Sequence, residues 1–173
     1  MNHLRQRRKV LTPLFAFWAV APLVTACTAD RATESAPLVG AWRSTIQFES
    51  GAFAEIKGLE FMYLFNAGGT LIESSNYDSA PPVPPAYGVW RTVGSNEFEA
   101  KYEFFSTATS DPESFAKGAG WIPAGRGVFT ERIKLSPDEH TFTSTIHYEL
   151  FGLQNESVTG GGDATAMGVR IRF

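Results

Sequence analysis

The chain is poor in the residues that usually announce a chemistry. It has one cysteine and three histidines among 173 residues. A single cysteine excludes an intrachain disulfide framework and any multi-cysteine zinc cluster. No Gly-x-Ser-x-Gly elbow, Ser-His-Asp spacing or phosphate-binding loop occurs in it. Positive charge is not in excess: fifteen Lys and Arg stand against eighteen Asp and Glu. That balance argues against a nucleic-acid partner, which calls for a basic patch. No amphipathic helix of useful length and no internal repeat is visible. Rings, by contrast, are abundant, with fourteen Phe, five Tyr and four Trp. Such content is too high for a disordered chain, and the length suits one domain.

The N-terminal segment differs from the rest. Arg5, Arg7, Arg8 and Lys9 precede an apolar stretch from Val10 to Val24, and small residues follow it. A basic head, an apolar middle and small residues make a secretory signal peptide over 1–26. The apolar stretch is shorter than the roughly 20 residues a spanning helix needs, which disfavours the alternative of an uncleaved anchor. Val24-Thr25-Ala26-Cys27 resembles the lipobox of bacterial lipoproteins, in which the cysteine is acylated and becomes the new N-terminus. The resemblance implies that Cys27 is a lipid anchor and not a catalytic thiol, with the membrane reached through that lipid alone. An ordinary cut nearby, for example after Ala29, is the alternative. Arg7-Arg8-Lys9-Val10-Leu11 also loosely resembles a twin-arginine export signal. Removing 1–26 takes away four basic residues and no acid, so a net charge of −3 becomes −7. Residues 27–37, rich in Thr, Ala and Ser, read as a tether, and 38–173 as the domain.

Within that domain the dominant period is two. Trp42, Ser44, Ile46 and Phe48 alternate with Arg43, Thr45, Gln47 and Glu49. Further strands are expected over Leu59–Phe65, Thr70–Ser74, Ala86–Val93, Glu97–Ser106, Arg126–Leu135, Thr141–Phe151 and Ala164–Phe173. Phe98, Ala100, Tyr102 and Phe104 make the cleanest alternating face. Asn66-Ala67-Gly68-Gly69, Gly94-Ser95-Asn96 and Ser136-Pro137-Asp138-Glu139 have turn chemistry. The fold class is therefore all-β, a single antiparallel up-and-down barrel of 8–10 strands or a sandwich. Two connections are long. Ser75–Pro85 is proline-rich. Thr107–Ala124 carries Phe115, Trp121 and Ile122, and reads either as a cover for one barrel end or as a surface loop pinned by one Trp. Asp111–Lys117 is the one short helix candidate.

Gly40-Ala41-Trp42 is similar to the N-terminal signature of lipocalin and calycin barrels. The resemblance implies that Trp42 plugs the closed end and that a C-terminal arginine, Arg170 or Arg172, packs across it. Leu-Val-Gly-x-Trp, Phe-Asn-x-Gly-Gly-Thr, Tyr-Gly-x-Trp and Gly-x-Arg-Ile together resemble a group of bacterial secreted lipocalin-like proteins, a likeness that brings no catalytic residues with it. A lipocalin Thr-Asp-Tyr motif is absent, and an allene-oxide-cyclase-like barrel is the alternative.

Candidate chemistry is sparse. Glu131 shares its parity with Phe129, Ile133 and Leu135, which would point it inward, whereas Val128, Thr130 and Arg132 offer the competing inward face. An interior carboxylate is either half of an ion pair, with Arg170 as partner, or a general acid/base or ligand anchor. His147 and Glu149 share an outward face and lack a third ligand, and His140 sits beside a turn, so no metal site is expected. Gly160-Gly161-Gly162 opens no helix and reads as a bend or bulge. Asn155-Glu156-Ser157 fits a glycosylation sequon, which carries little meaning in a bacterial lipoprotein.

Three functions follow. The first is a cell-envelope lipoprotein, at the outer membrane or periplasmic face or otherwise secreted. It would bind a small apolar ligand through Phe98, Tyr102, Phe104, Trp121 and Tyr148, with no cofactor. The second is an isomerase or cyclase using Glu131 or Tyr102. The third is a structural protein with a filled core.

Overall fold

The computed structural model describes residues 36–77, 83–111, 113, 117 and 120–173. The signal peptide, Cys27, Phe115 and most of the tether and of the Asp111–Lys117 segment lie outside the described residues. In that last segment the Lys117 amide donates to the Glu113 carbonyl at 3.2 Å, one helical turn's bond.

Eight antiparallel strands close into a barrel: β1 (Gly40–Phe48), β2 (Leu59–Phe65), β3 (Thr70–Ser75), β4 (Ala86–Gly94), β5 (Glu97–Thr109), β6 (Trp121–Leu135), β7 (Thr141–Phe151) and β8 (Ser157–Arg170). Each strand pairs with its neighbours in sequence, and β8 returns to β1, with Trp42 opposite Arg170 and Phe48 opposite Ala164. Closure leaves no edge strand to template further pairing.

The alternating pattern turns rings inward on most strands. Trp42, Ile46 and Phe48 face the interior from β1, as do Phe61, Tyr63 and Phe65 from β2 and Phe98, Tyr102 and Phe104 from β5. This volume fits because β8 contributes almost none. Its inward positions are Ala164, Ala166 and Gly168, while the larger Met167 and Val169 face outward. A Cβ on Gly168 would lie 2.2 Å from the Phe142 ring. Large rings on one strand are thus matched by small residues on the next.

Three strands run well beyond their expected bounds. β5 and β6 continue to Thr109 and Trp121 after a register shift at Ser106/Thr107, opposite Gly125 with φ +142°. A bulge inserts a residue and breaks the parity on which the sequence pattern depends. Pro123 then adds a strand-breaking signal. Trp121 and Ile122 consequently belong to a strand and not to a loop. β8 likewise begins earlier, at Ser157, and ends at Arg170, short of Phe173. The Gly160–Gly162 run lies where the β7–β8 register shifts, near Tyr148/Leu150.

One end of the barrel is sealed. The Trp42 indole donates to the Leu38 carbonyl at 2.9 Å. The Arg170 guanidinium lies 4.2 Å from the centre of the Trp42 ring. It donates to the carbonyls of Val39 at 2.8 Å, Glu139 at 2.9 Å and Pro37. Of the two C-terminal arginines, Arg170 packs across Trp42, while Arg172 reaches His140 at the surface. At the same end the Trp90 indole is shared between the Asn66 and Thr70 carbonyls, each at 3.1 Å, which pins the β2–β3 turn. Only a planar fork can stack on a ring and serve three carbonyls at once. Arg170→Lys is therefore expected to lower stability by about 1–2 kcal/mol in urea unfolding, and Arg172→Lys by less than about 0.5 kcal/mol.

Candidate functional site

The opposite end of the barrel carries the β1–β2, β3–β4, β5–β6 and β7–β8 connections. Toward it the interior becomes a ladder of rings. Phe129 stacks on Tyr102 at 5.0 Å and on Tyr148 at 4.7 Å, and Phe104 stacks on both Phe129 and Tyr148. Phe53, from the β1–β2 connection, packs on Phe48, Tyr77 and Tyr148.

Between the sealed end and this ladder lies a polar cluster. β6 turns Glu131 inward along with Phe129, Ile133 and Leu135, so the competing parity is not adopted. Glu131 is 0% exposed. It accepts from the Tyr102 hydroxyl at 2.9 Å and the Ser144 hydroxyl at 2.5 Å, and Tyr102 is 3.3 Å from the Tyr63 hydroxyl. Its expected ion pair with Arg170 does not form. Arg170 spends its donors on carbonyls at the sealed end, and hydroxyl groups take the arginine's place beside Glu131. Burial raises the Glu131 pKa, and the hydroxyl bonds pull it part of the way back. Burial, followed by the Glu131 charge, lifts Tyr63 and Tyr102 well above the usual tyrosine range.

A second interior carboxyl, Glu73 on β3, is not expected from the sequence. It is 4% exposed, and its Oε1 finds no hydrogen-bond partner among the described residues. The sequence hides it because Leu71 and Ile72, adjacent and both apolar, make either face of β3 look buried. In the fold Leu71 and Glu73 point inward while Ile72 is largely exposed. Glu73 borders a void of about 20 Å³ whose other walls include Phe48, Phe53, Phe61, Phe104, Phe129, Tyr77 and Val83. That space suits about one water molecule. Burial, reinforced by Glu131, pushes the Glu73 pKa from 4.5 to about 8.

Of the five residues expected to line a ligand pocket, only Phe104 borders this void. Tyr148 and Tyr102 stack on rings that line it, Phe104 and Phe129, without bordering it themselves, and Phe98 packs on Trp90 toward the sealed end. Trp121 is half-buried where β6 begins, paired in register with Thr109. His147 is exposed and 2.8 Å from the Asp163 carboxylate. Among the described residues no three His, Cys, Asp or Glu side chains gather as metal ligands. A separate concavity of about 880 Å³ lies on the outer face of the sheet, lined largely by outward side chains such as Thr45, Arg132, Thr145 and Met167.

Fold and site together define a closed eight-stranded antiparallel β-barrel with two carboxyls in an aromatic interior. No family model, curated protein or solved structure matches the chain.

A carboxyl whose pKa is raised holds its proton more tightly folded than unfolded. Its contribution is complete below the unfolded pKa and is lost as pH climbs through the folded one. For Glu73 that window runs from 4.5 to about 8. A tenfold difference in proton affinity between the folded and unfolded chain is worth about 1.4 kcal/mol. Urea unfolding should therefore show stability falling by several kcal/mol between about pH 5 and about pH 9. Glu73→Gln should remove a large part of that slope and leave the part that belongs to Glu131, whose pKa burial also raises. A slope unchanged in this variant would assign it to other groups.

Proposed function

We propose that this chain is an exported, lipid-anchored, lipocalin-like barrel that binds a small, largely apolar ligand at its loop end. The unpartnered Glu73 oxygen carries this proposal. A core filled for stability alone gains nothing from a carboxyl oxygen left without a protein partner, since such a group lowers stability by about 1–3 kcal/mol. A ligand with one hydrogen-bonding group, taking the place of the single water that the void admits, supplies that partner. The void as it stands takes only that group. The apolar body would occupy the space now held by Phe53 and Tyr77, which hang from connections outside the strand ladder. An acid/base role for Glu131 or Tyr102 has less support. Those two are bonded to each other, Glu131 is also held by Ser144, and neither borders the void.

The size of the void, about 20 Å³, favours the filled-core reading, and one titration separates the two. N-phenyl-1-naphthylamine, a neutral probe that brightens in apolar surroundings, should show saturable binding to the purified protein. Phe53→Ala, which widens the space, should tighten it by roughly three- to tenfold. No saturable signal from either protein would leave a filled core as the better account.

The anchor is tested separately. Cys27→Ser should release the protein from the membrane fraction into the soluble one. A variant that is processed normally yet stays with the membrane would remove the lipid from this proposal.

A further inference from the structure

We propose that the ligand of the loop-end site is a monocation, an ammonium group on an apolar or aromatic body, with its charge met by Glu73 inside a cage of phenyl rings. The inference rests on the reading of the loop end as a binding site and adds the class of ligand to it.

Several independent features of the void lead to this chemistry. Its described walls supply one acid and no Lys, Arg or His. Phe48, Phe53, Phe61, Phe104 and Phe129 line the same space. Ring faces attract cations, and aromatic cages are a recurring means of holding ammonium groups. The titratable groups facing Glu73 are Glu131 from β6, Tyr102 from β5 and Tyr63 from β2, and Tyr77 borders the void at the end of β3. All are acids, so among the described residues nothing positive balances the site. An ammonium headgroup is close to a water molecule in size, which is what the void of about 20 Å³ admits. An anion would face two carboxyls and three phenols. The chain as a whole, at net −3, attracts cations to its surface.

The proton balance follows from the buried carboxyl. Glu73 rests protonated at neutral pH, because its pKa is pushed to about 8. Binding an ammonium ion requires the carboxylate, so the Glu73 proton leaves to solvent as the cation enters. Below about pH 8 affinity should therefore rise roughly tenfold per pH unit, with one proton released per ligand bound.

Two probes of matched size read this directly: 2-phenylethylammonium and its neutral counterpart 2-phenylethanol. Calorimetric titrations of the full-length protein are made from about pH 6 to about pH 8, in buffers of different ionisation enthalpy. The amine should bind at least roughly tenfold more tightly than the alcohol at the upper pH. Its affinity should rise with pH as stated, and buffer dependence should count the released proton. Glu73→Gln, nearly isosteric, should erase the preference for the amine. Alcohol binding as tight as the amine's, an amine affinity flat with pH, or a preference that survives Glu73→Gln would each overturn the proposal. The pH series on the unmodified protein needs no variant to fold. If N-phenyl-1-naphthylamine binds while the amine does not, the cation is wrong and the site stands. If neither binds, both fall.

Discussion

The pairing of β1 with β8 sets the circumference at eight strands, and at that circumference the interior is only as wide as the side chains that fill it. Most other features follow from this narrowness. Rings that project inward from β1, β2, β5, β6 and β7 must find facing positions that give way, and β8 supplies them with Ala164, Ala166 and Gly168. Gly127 plays a similar part on β6, where a Cβ would lie 2.3 Å from the Phe104 ring. The outer face is free of this constraint, which is why Met167 and Val169 face outward on the very strand whose inner face is nearly bare.

Narrowness also governs the electrostatics. Little water reaches the middle of the barrel, so a carboxyl placed there is driven toward its neutral form. The two interior acids respond differently because their neighbours differ. Glu131 is met by hydroxyls from β5 and β7, a closed network with few unsatisfied positions. Glu73 sits nearer the connections, among phenyl rings, and among the described residues one of its oxygens has no partner. Satisfied polar groups rigidify a core, whereas an unsatisfied one marks a place where the core is not optimised for stability alone.

The legibility of the sequence tracks the regularity of the strands. β1 and β7 are visible because their alternation points to one solution, and β2 is visible as a continuous apolar run that ends in the turn residues Asn66-Ala67-Gly68-Gly69. Alternation stops informing where Gly125 makes a bulge, so the last turns of the β5–β6 ribbon read as loop. Glu131 stands out because three apolar residues share its parity, yet its partners do not, since Tyr102 and Ser144 lie 29 and 13 residues away. Glu73 is invisible for the opposite reason: on a strand of six residues with apolar side chains on both faces, parity carries no information. Arg170 and Arg172 are equivalent by parity, and only the position of the strand's end at Arg170 distinguishes them.

The clasp of Arg170 on Pro37 and Val39 gives the barrel a direction. The described chain starts at the sealed base, and the void lies toward the other end. A load applied upstream of Pro37 would be borne first by a stacked guanidinium and a tryptophan, and by the aromatic ladder only afterwards. The base is thus the stiff end of the barrel, and the mouth, filled by rings from the connections, is the end that repacks at least cost.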